Sequence, residues 1–132
     1  MTRYVIDAGA AIRLAGEDLS SAPAHELLAP TLLRSQTLSM LHEAVHRGEL
    51  RSGAALDRLG RIKRMPIRLL GDAVLRKRAW ELADALGWAS TYDAEYLALT
   101  QLQADAFVTT DRRLAERARG TVEVAAFEVL LG

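Results

Sequence analysis

The chain has 132 residues, half of them hydrophobic, which is enough for one domain with its own core and too little for two. No apolar run approaches the ~18 residues of a membrane-spanning helix. The start, MTRYVIDAGAA, lacks the apolar stretch and cleavage site of a secretory signal, so a cytoplasmic protein is expected. With no cysteine, disulfide frameworks, iron–sulfur clusters and thiolate catalysis are excluded. Seventeen basic residues balance seventeen acidic ones, but unevenly: residues 47–78 hold ten Arg/Lys against three acids, and the rest of the chain holds seven against fourteen. Such asymmetry fits either a solvated arginine-rich helical face or a protein that gathers carboxylates in one place and meets a polyanion in another.

Five short apolar segments read as strands: Tyr4–Ile6, Glu26–Ala29, Ile67–Leu70, Ala106–Thr109 and Val122–Ala125. Stretches with helical spacing separate them. Ala10–Ala15 follows the first strand. Pro30 suits the first turn of a helix running to about Val45, and Ser52–Arg64 forms another, stopped before Pro66. Asp72–Leu86 carries Val74, Leu75, Ala79, Leu82 and Leu86 as an apolar stripe, ended by Gly87. Thr91–Gln103 and Asp111–Arg119 complete the set. Strands alternating with helices imply parallel pairing through right-handed crossovers, hence a three-layer α/β/α domain with a central parallel sheet of about five strands over residues 1–132.

Ligands of open parallel sheets bind outside the carboxyl ends of the strands, where strand order reverses. Asp7 follows YVI, Asp111 follows FVTT, and Asp93 opens the helix leading into FVTT. All three are therefore expected at the same sheet edge. Converging carboxylates repel unless a cation neutralises them, and an all-oxygen set without cysteine or histidine favours Mg²⁺ or Mn²⁺ over zinc. Such an ion polarises a phosphodiester and lowers the pKa of a bound water. Capping is the plainer account of each acid taken singly, because an aspartate at a helix start satisfies free N–H groups and is worth ~1 kcal/mol without any chemistry.

YVIDAGAAIRLA, APTLLRSQTLSMLHEAVHRGEL, YDAEYLALTQLQAD and AFVTTDRRLA together resemble, over nearly the whole chain, the PIN-domain ribonucleases, and among them the VapC-type toxins of bacterial toxin–antitoxin pairs. YDAEYLALT followed by FVTTDRRL is the most specific part. The resemblance implies a five-stranded parallel sheet, Mg²⁺- or Mn²⁺-dependent cleavage of RNA, a homodimer, and inhibition by a small antitoxin protein that inserts a peptide near the active site. By matching position it makes Asp7, Asp93 and Asp111 the metal-binding acids and Thr109 the hydroxyl that supports Asp111 or the attacking water. Two positions depart from the pattern. Gln36 stands where the family usually has a glutamate, leaving three carboxylates rather than four, and Glu43 lies ~10.5 Å further along that helix, too far to replace it directly. Gly9 stands where a Ser or Thr often supplies a hydroxyl, a kind of loss that costs ~10–100-fold in metal affinity or activity.

His42-Glu43-Ala44-Val45-His46 also spells the H-E-x-x-H signature of zinc hydrolases. No histidine follows His46 to complete the site, and a zinc reading leaves the three aspartates unexplained. A phosphoacceptor receiver fits less well, since the two lysines, Lys63 and Lys77, both lie mid-chain. The remaining alternative is a catalytically impaired relative that binds RNA or a partner protein, for which Gln36 is the best argument. Arg112 and Arg113, beside Asp111, are candidates for phosphate contact or simply exposed helix-start arginines. Among the aromatics, Tyr4, Phe107 and Phe127 are expected in the core and Trp80 and Tyr96 in packing roles. Trp88 and Tyr92 are left for base stacking or packing alike.

Overall fold

The computed structural model describes residues 1–17 and 24–132. In chain order the elements are β1 (Arg3–Ile6), α1 (Ala8–Ala15), β2 (Glu26–Pro30), α2 (Leu32–His46), α3 (Ser52–Arg64), β3 (Ile67–Leu70), α4 (Ala73–Leu86), α5 (Tyr92–Gln103), β4 (Ala106–Val108), α6 (Arg112–Ala118) and β5 (Val124–Ala125), then a 3-10 turn over Phe127–Leu131. The strands form one sheet in the order β3-β2-β1-β4-β5, every pairing parallel. Parallel neighbours require long crossovers, and helices supply them. α1, α2 and α3 pack on one another, and α4 packs on α5. The result is the three-layer α/β/α arrangement that the strand–helix alternation predicts.

Burial follows from that layering. Leu27–Pro30 on β2 and Ala106–Val108 on β4 are buried at every position rather than at alternate ones, the pattern of a sheet covered on both faces. Val5, Ile6, Leu28, Leu97 and Phe107 form the centre of the core. A smaller cluster of Ala15, Leu41, Ala55 and Ile62 ties α1, α2 and α3 together. Among the described residues no helix is long and apolar enough to cross a membrane.

Several elements differ from the sequence expectation, each for a local reason. Pro30 ends β2, paired with Leu70, instead of opening the next helix, which begins at Leu32. The N–H that proline lacks is supplied one residue later, where Thr31 donates to the Leu70 carbonyl at 3.0 Å. β4 stops at Val108, so Thr109 lies just past the strand, and β5 is only Val124–Ala125, with Val122 bridging to Arg119. The terminal 3-10 turn buries Phe127 and Leu130 but is too short to show a helical period. On α4 the buried face is Leu75, Ala79, Leu82 and Ala83. Val74 and Trp80 point to solvent, and Trp80, expected to pack, is 70% exposed.

Candidate functional site

Strand order reverses between β1 and β4: β2 and β3 extend to one side of β1, and β4 and β5 lie on the other. The chain leaves β1 at Asp7 and leaves β4 at Thr109, so both exits open at the carboxyl edge of the sheet. α5 runs back from that edge into β4, which places its start, with Asp93 as second residue, at the same end.

Asp7 caps α1. Its extended backbone lets Oδ1 accept the Ala10 N–H at 2.9 Å, while Oδ2 accepts a hydrogen bond from the Thr109 hydroxyl. The same Thr109 oxygen accepts the backbone N–H of Asp111 at 3.0 Å. One hydroxyl thus joins the ends of β1 and β4, its proton turned toward Asp7 and a lone pair toward Asp111. Asp111 in turn caps α6, its Oδ1 accepting from Arg113 at 2.9 Å and Leu114 at 3.2 Å, which leaves its other carboxylate oxygen outside the cap. Asp93 is half-buried and accepts no hydrogen bond among the described residues.

Electrostatics tie the three acids together. Burial pushes the Asp7 carboxyl above its ordinary range; the Thr109 and Ala10 hydrogen bonds pull it back, and the charges of Asp93 and Asp111 raise it further. Asp93 is raised by burial, eased by the Arg117 guanidinium and raised again by Asp111. Asp7 therefore lies in the field of Asp93 and Asp111, and Asp93 in that of Asp111, yet among the described residues none of the three forms an ion pair with Lys, Arg or His. Buried charge without a partner is costly. The donor chemistry, three carboxylates with a hydroxyl and an amide oxygen nearby, fits a hard divalent cation such as Mg²⁺ or Mn²⁺. Among the described residues no three acidic or histidine side chains stand close enough to share an ion as they are. The caps hold one oxygen each of Asp7 and Asp111 at their own helix starts, and a shared cation would have to draw the carboxylates inward.

Gln36 reaches the rim of this cluster through Tyr96. The Tyr96 hydroxyl donates to Gln36 Oε1 at 2.6 Å, and the phenol is pushed upward by burial first and then by the charges of Asp7, Glu95 and Asp93. The amide oxygen is thus partly committed to a tyrosine sixty residues away. Tyr96, expected only to pack, does so with 1% exposure while also orienting Gln36, a role no local pattern announces.

The zinc signature lies elsewhere. His42 and His46 are exposed near the far end of α2, and Glu43 accepts from the Ser39 hydroxyl at 2.9 Å. Glu43 therefore does not stand in for Gln36, and among the described residues no third ligand joins the pair. Arg112 and Arg113 are exposed, and it is Arg117 whose charge acts on Asp93, with its guanidinium 4.4 Å from the centre of the Trp88 ring. Trp88 is accordingly half-buried and stacked, whereas Tyr92 is 58% exposed. Sequence reasoning passed over Arg117, because nothing along α6 distinguishes it from its neighbouring arginines.

No protein-family model and no curated protein matches the chain. Among solved structures it is similar to the crystal structure of PAE2754 from Pyrobaculum aerophilum, with 23% identity and a TM-score of 0.73 over 98% of this chain and 93% of that one. At that identity the likeness establishes the fold.

Proposed function

We propose that the protein is a metal-dependent endoribonuclease, a VapC-like toxin of the PIN-domain type that hydrolyses RNA phosphodiester bonds in the cytoplasm. The observation that carries this reading is the meeting of Asp7, Thr109 and Asp111 where strand order reverses, with Asp7 buried and no protein cation beside it among the described residues.

Asp7, Asp93 and Asp111 would hold Mg²⁺ or Mn²⁺. When bound, the ion supplies Lewis acidity toward a phosphodiester and lowers the pKa of water to give a nucleophile at neutral pH. Thr109 fixes the Asp7 carboxylate by donating to Oδ2 and fixes the α6 start by accepting from Asp111. Such outer partners keep ligands aimed. Gln36, whose Oε1 accepts from Tyr96, adds no fourth negative charge and would serve as a neutral contact. Arg117, stacked on Trp88, is a cation at the acidic rim that suits an RNA phosphate.

The toxin reading brings a homodimer and an antitoxin partner. A groove of about 700 Å³ between α2, α3 and β3, lined by Leu33, Leu38, Leu56, Leu59, Ile62 and Ile67, supports an apolar contact of that kind. A test of the activity compares RNA cleavage by the purified protein in Mn²⁺, in EDTA, and after Asp7→Asn. Cleavage confined to the unsubstituted protein in Mn²⁺ is expected; equal cleavage in all three contradicts the reading. A binding-only reading draws on the engagement of Gln36 Oε1 by Tyr96, and it predicts salt-sensitive RNA binding with no metal-dependent turnover.

A further inference from the structure

α4 turns to solvent a face that nothing else in the chain covers. Its buried residues, Leu75, Ala79, Leu82 and Ala83, fix which side packs on the core. Opposite them, at the alternating spacing of three and four that keeps to one side of a helix, run Ala73, Lys77, Trp80 and Asp84, all exposed. Gly87 ends the helix on the same line. Trp80, at the middle, is 70% exposed, and among the described residues no aromatic or cationic side chain stacks on it. Tryptophan is enriched at the centres of protein interfaces, where its large ring is buried.

Charge on this face is ordered end to end. Lys77 stands one turn before Trp80 and Asp84 one turn after it, and among the described residues neither forms an ion pair. Arg78, by contrast, is engaged on the flank of the helix, donating to Gln101 at 2.8 Å and Glu81 at 3.5 Å. A row that is basic before its centre and acidic after it complements itself when a second copy runs antiparallel. With the two Trp80 rings meeting at a two-fold axis, Lys77 faces Asp84 of the partner subunit, and Ala73 approaches Gly87 of the partner subunit. An isologous contact makes every such pair twice. An RNA backbone fits worse, because Glu81 and Asp84 beside the tryptophan repel phosphate. None of these residues lines the groove between α2, α3 and β3, which stays free for a different partner.

We propose that the exposed face of α4 is an isologous dimer surface, with Trp80 at its two-fold axis and Lys77 paired to Asp84 of the partner subunit. It gives the homodimer of the toxin reading a surface, yet it rests on α4 alone and needs neither a cation nor RNA. A single helix of 14 residues, ~21 Å long, is small for a permanent interface, so the dimer forms and dissociates with concentration.

The experiment is sedimentation equilibrium of the full chain over a range of concentrations, with circular dichroism of each variant to confirm folding. The unsubstituted protein is expected to dimerise, and Trp80→Ala, Lys77→Glu and Asp84→Lys each to weaken the dimer by about 10-fold or more. Either charge reversal sets like charges face to face in both copies of the pair. Mixing Lys77→Glu with Asp84→Lys is therefore expected to give a heterodimer within about 3-fold of the original affinity, as is the double variant with itself. Only direct pairing in this antiparallel register restores affinity in both cases. A monomer at every concentration overturns the proposal, as does a dimer that Trp80→Ala leaves unchanged. Loss of RNA binding in Trp80→Ala with unaltered sedimentation overturns it too, and makes the face an RNA contact. A dimer of this register that cleaves no RNA supports the proposal and contradicts the nuclease reading alone; a monomer that cleaves RNA in Mn²⁺ does the reverse.

Discussion

Two turns of this molecule are built alike and do different things. Asp7 at the β1–α1 turn has φ −90° and ψ 178° and accepts the Ala10 N–H at 2.9 Å; Asp72 at the β3–α4 turn has φ −85° and ψ 179° and accepts the Leu75 N–H at 2.9 Å. As helix caps they are equivalent. Asp72, however, lies at the edge strand and is exposed, whereas Asp7 lies at the reversal of strand order, 9% exposed. It also accepts from Thr109 and stands in the fields of Asp93 and Asp111. Capping accounts for everything seen at Asp72. At Asp7 it accounts for one oxygen and leaves unexplained why the charges of two further acids bear on a buried carboxyl group. Position in the sheet, more than local motif, separates a structural aspartate from a candidate ligand.

The widest separation between the two turns is expected in activity. Asp7→Ala should reduce Mn²⁺-dependent RNA cleavage by more than ~100-fold, beyond the cost of an outer partner, while Asp72→Ala leaves the rate per folded molecule unchanged. Comparable losses in initial-rate assays of the two variants would erase the distinction. Next in size is stabilisation by the ion. At a hundredfold excess over its Kd, Mg²⁺ should stabilise the protein by about 2.7 kcal/mol, raise its melting temperature by roughly 10 °C, and do nothing for Asp7→Asn.

A third effect concerns stability in the absence of metal. In the unfolded chain Asp7 ionises near 3.8; in the folded protein its pKa is raised, mainly by burial. The folded state then binds the proton more tightly, so this group's contribution is fully present below pH 3.8 and is lost as pH rises through the folded value. Asp7→Asn keeps the Oδ1 cap and removes the charge. In EDTA it should be more stable than the unsubstituted protein at pH 7, with the gap closing toward pH 3.8, as read by urea denaturation at both pH values. Smallest is the cap itself: Asp72→Ala should cost ~1 kcal/mol, measurable by the same method, with Asp72→Asn near neutral.

Much of this was legible in the sequence. Residues on either side of Asp7, Asp93 and Asp111 placed all three at strand exits or helix starts, and alternation of apolar segments gave a parallel three-layer sheet. Ser52–Arg64 and the Gly87 stop came through because Pro66 and a glycine with φ 72° mark boundaries chemically. What stayed hidden depends on long-range meetings. The Gln36–Tyr96 bond and the stacking of Arg117 on Trp88 join residues that no periodicity connects. Pro30 misled because one residue type serves both a helix start and a strand end, and only the Leu70 carbonyl, which accepts the Thr31 N–H, decides between them.

The central claim is that a divalent cation belongs among Asp7, Asp93 and Asp111. Anomalous diffraction from a crystal grown with Mn²⁺ tests it most directly. The account predicts a manganese peak within about 2.0–2.4 Å of oxygens from at least two of these carboxylates, with Asp7 among them; manganese absent from that edge of the sheet, or bound instead at His42 and His46, would contradict it.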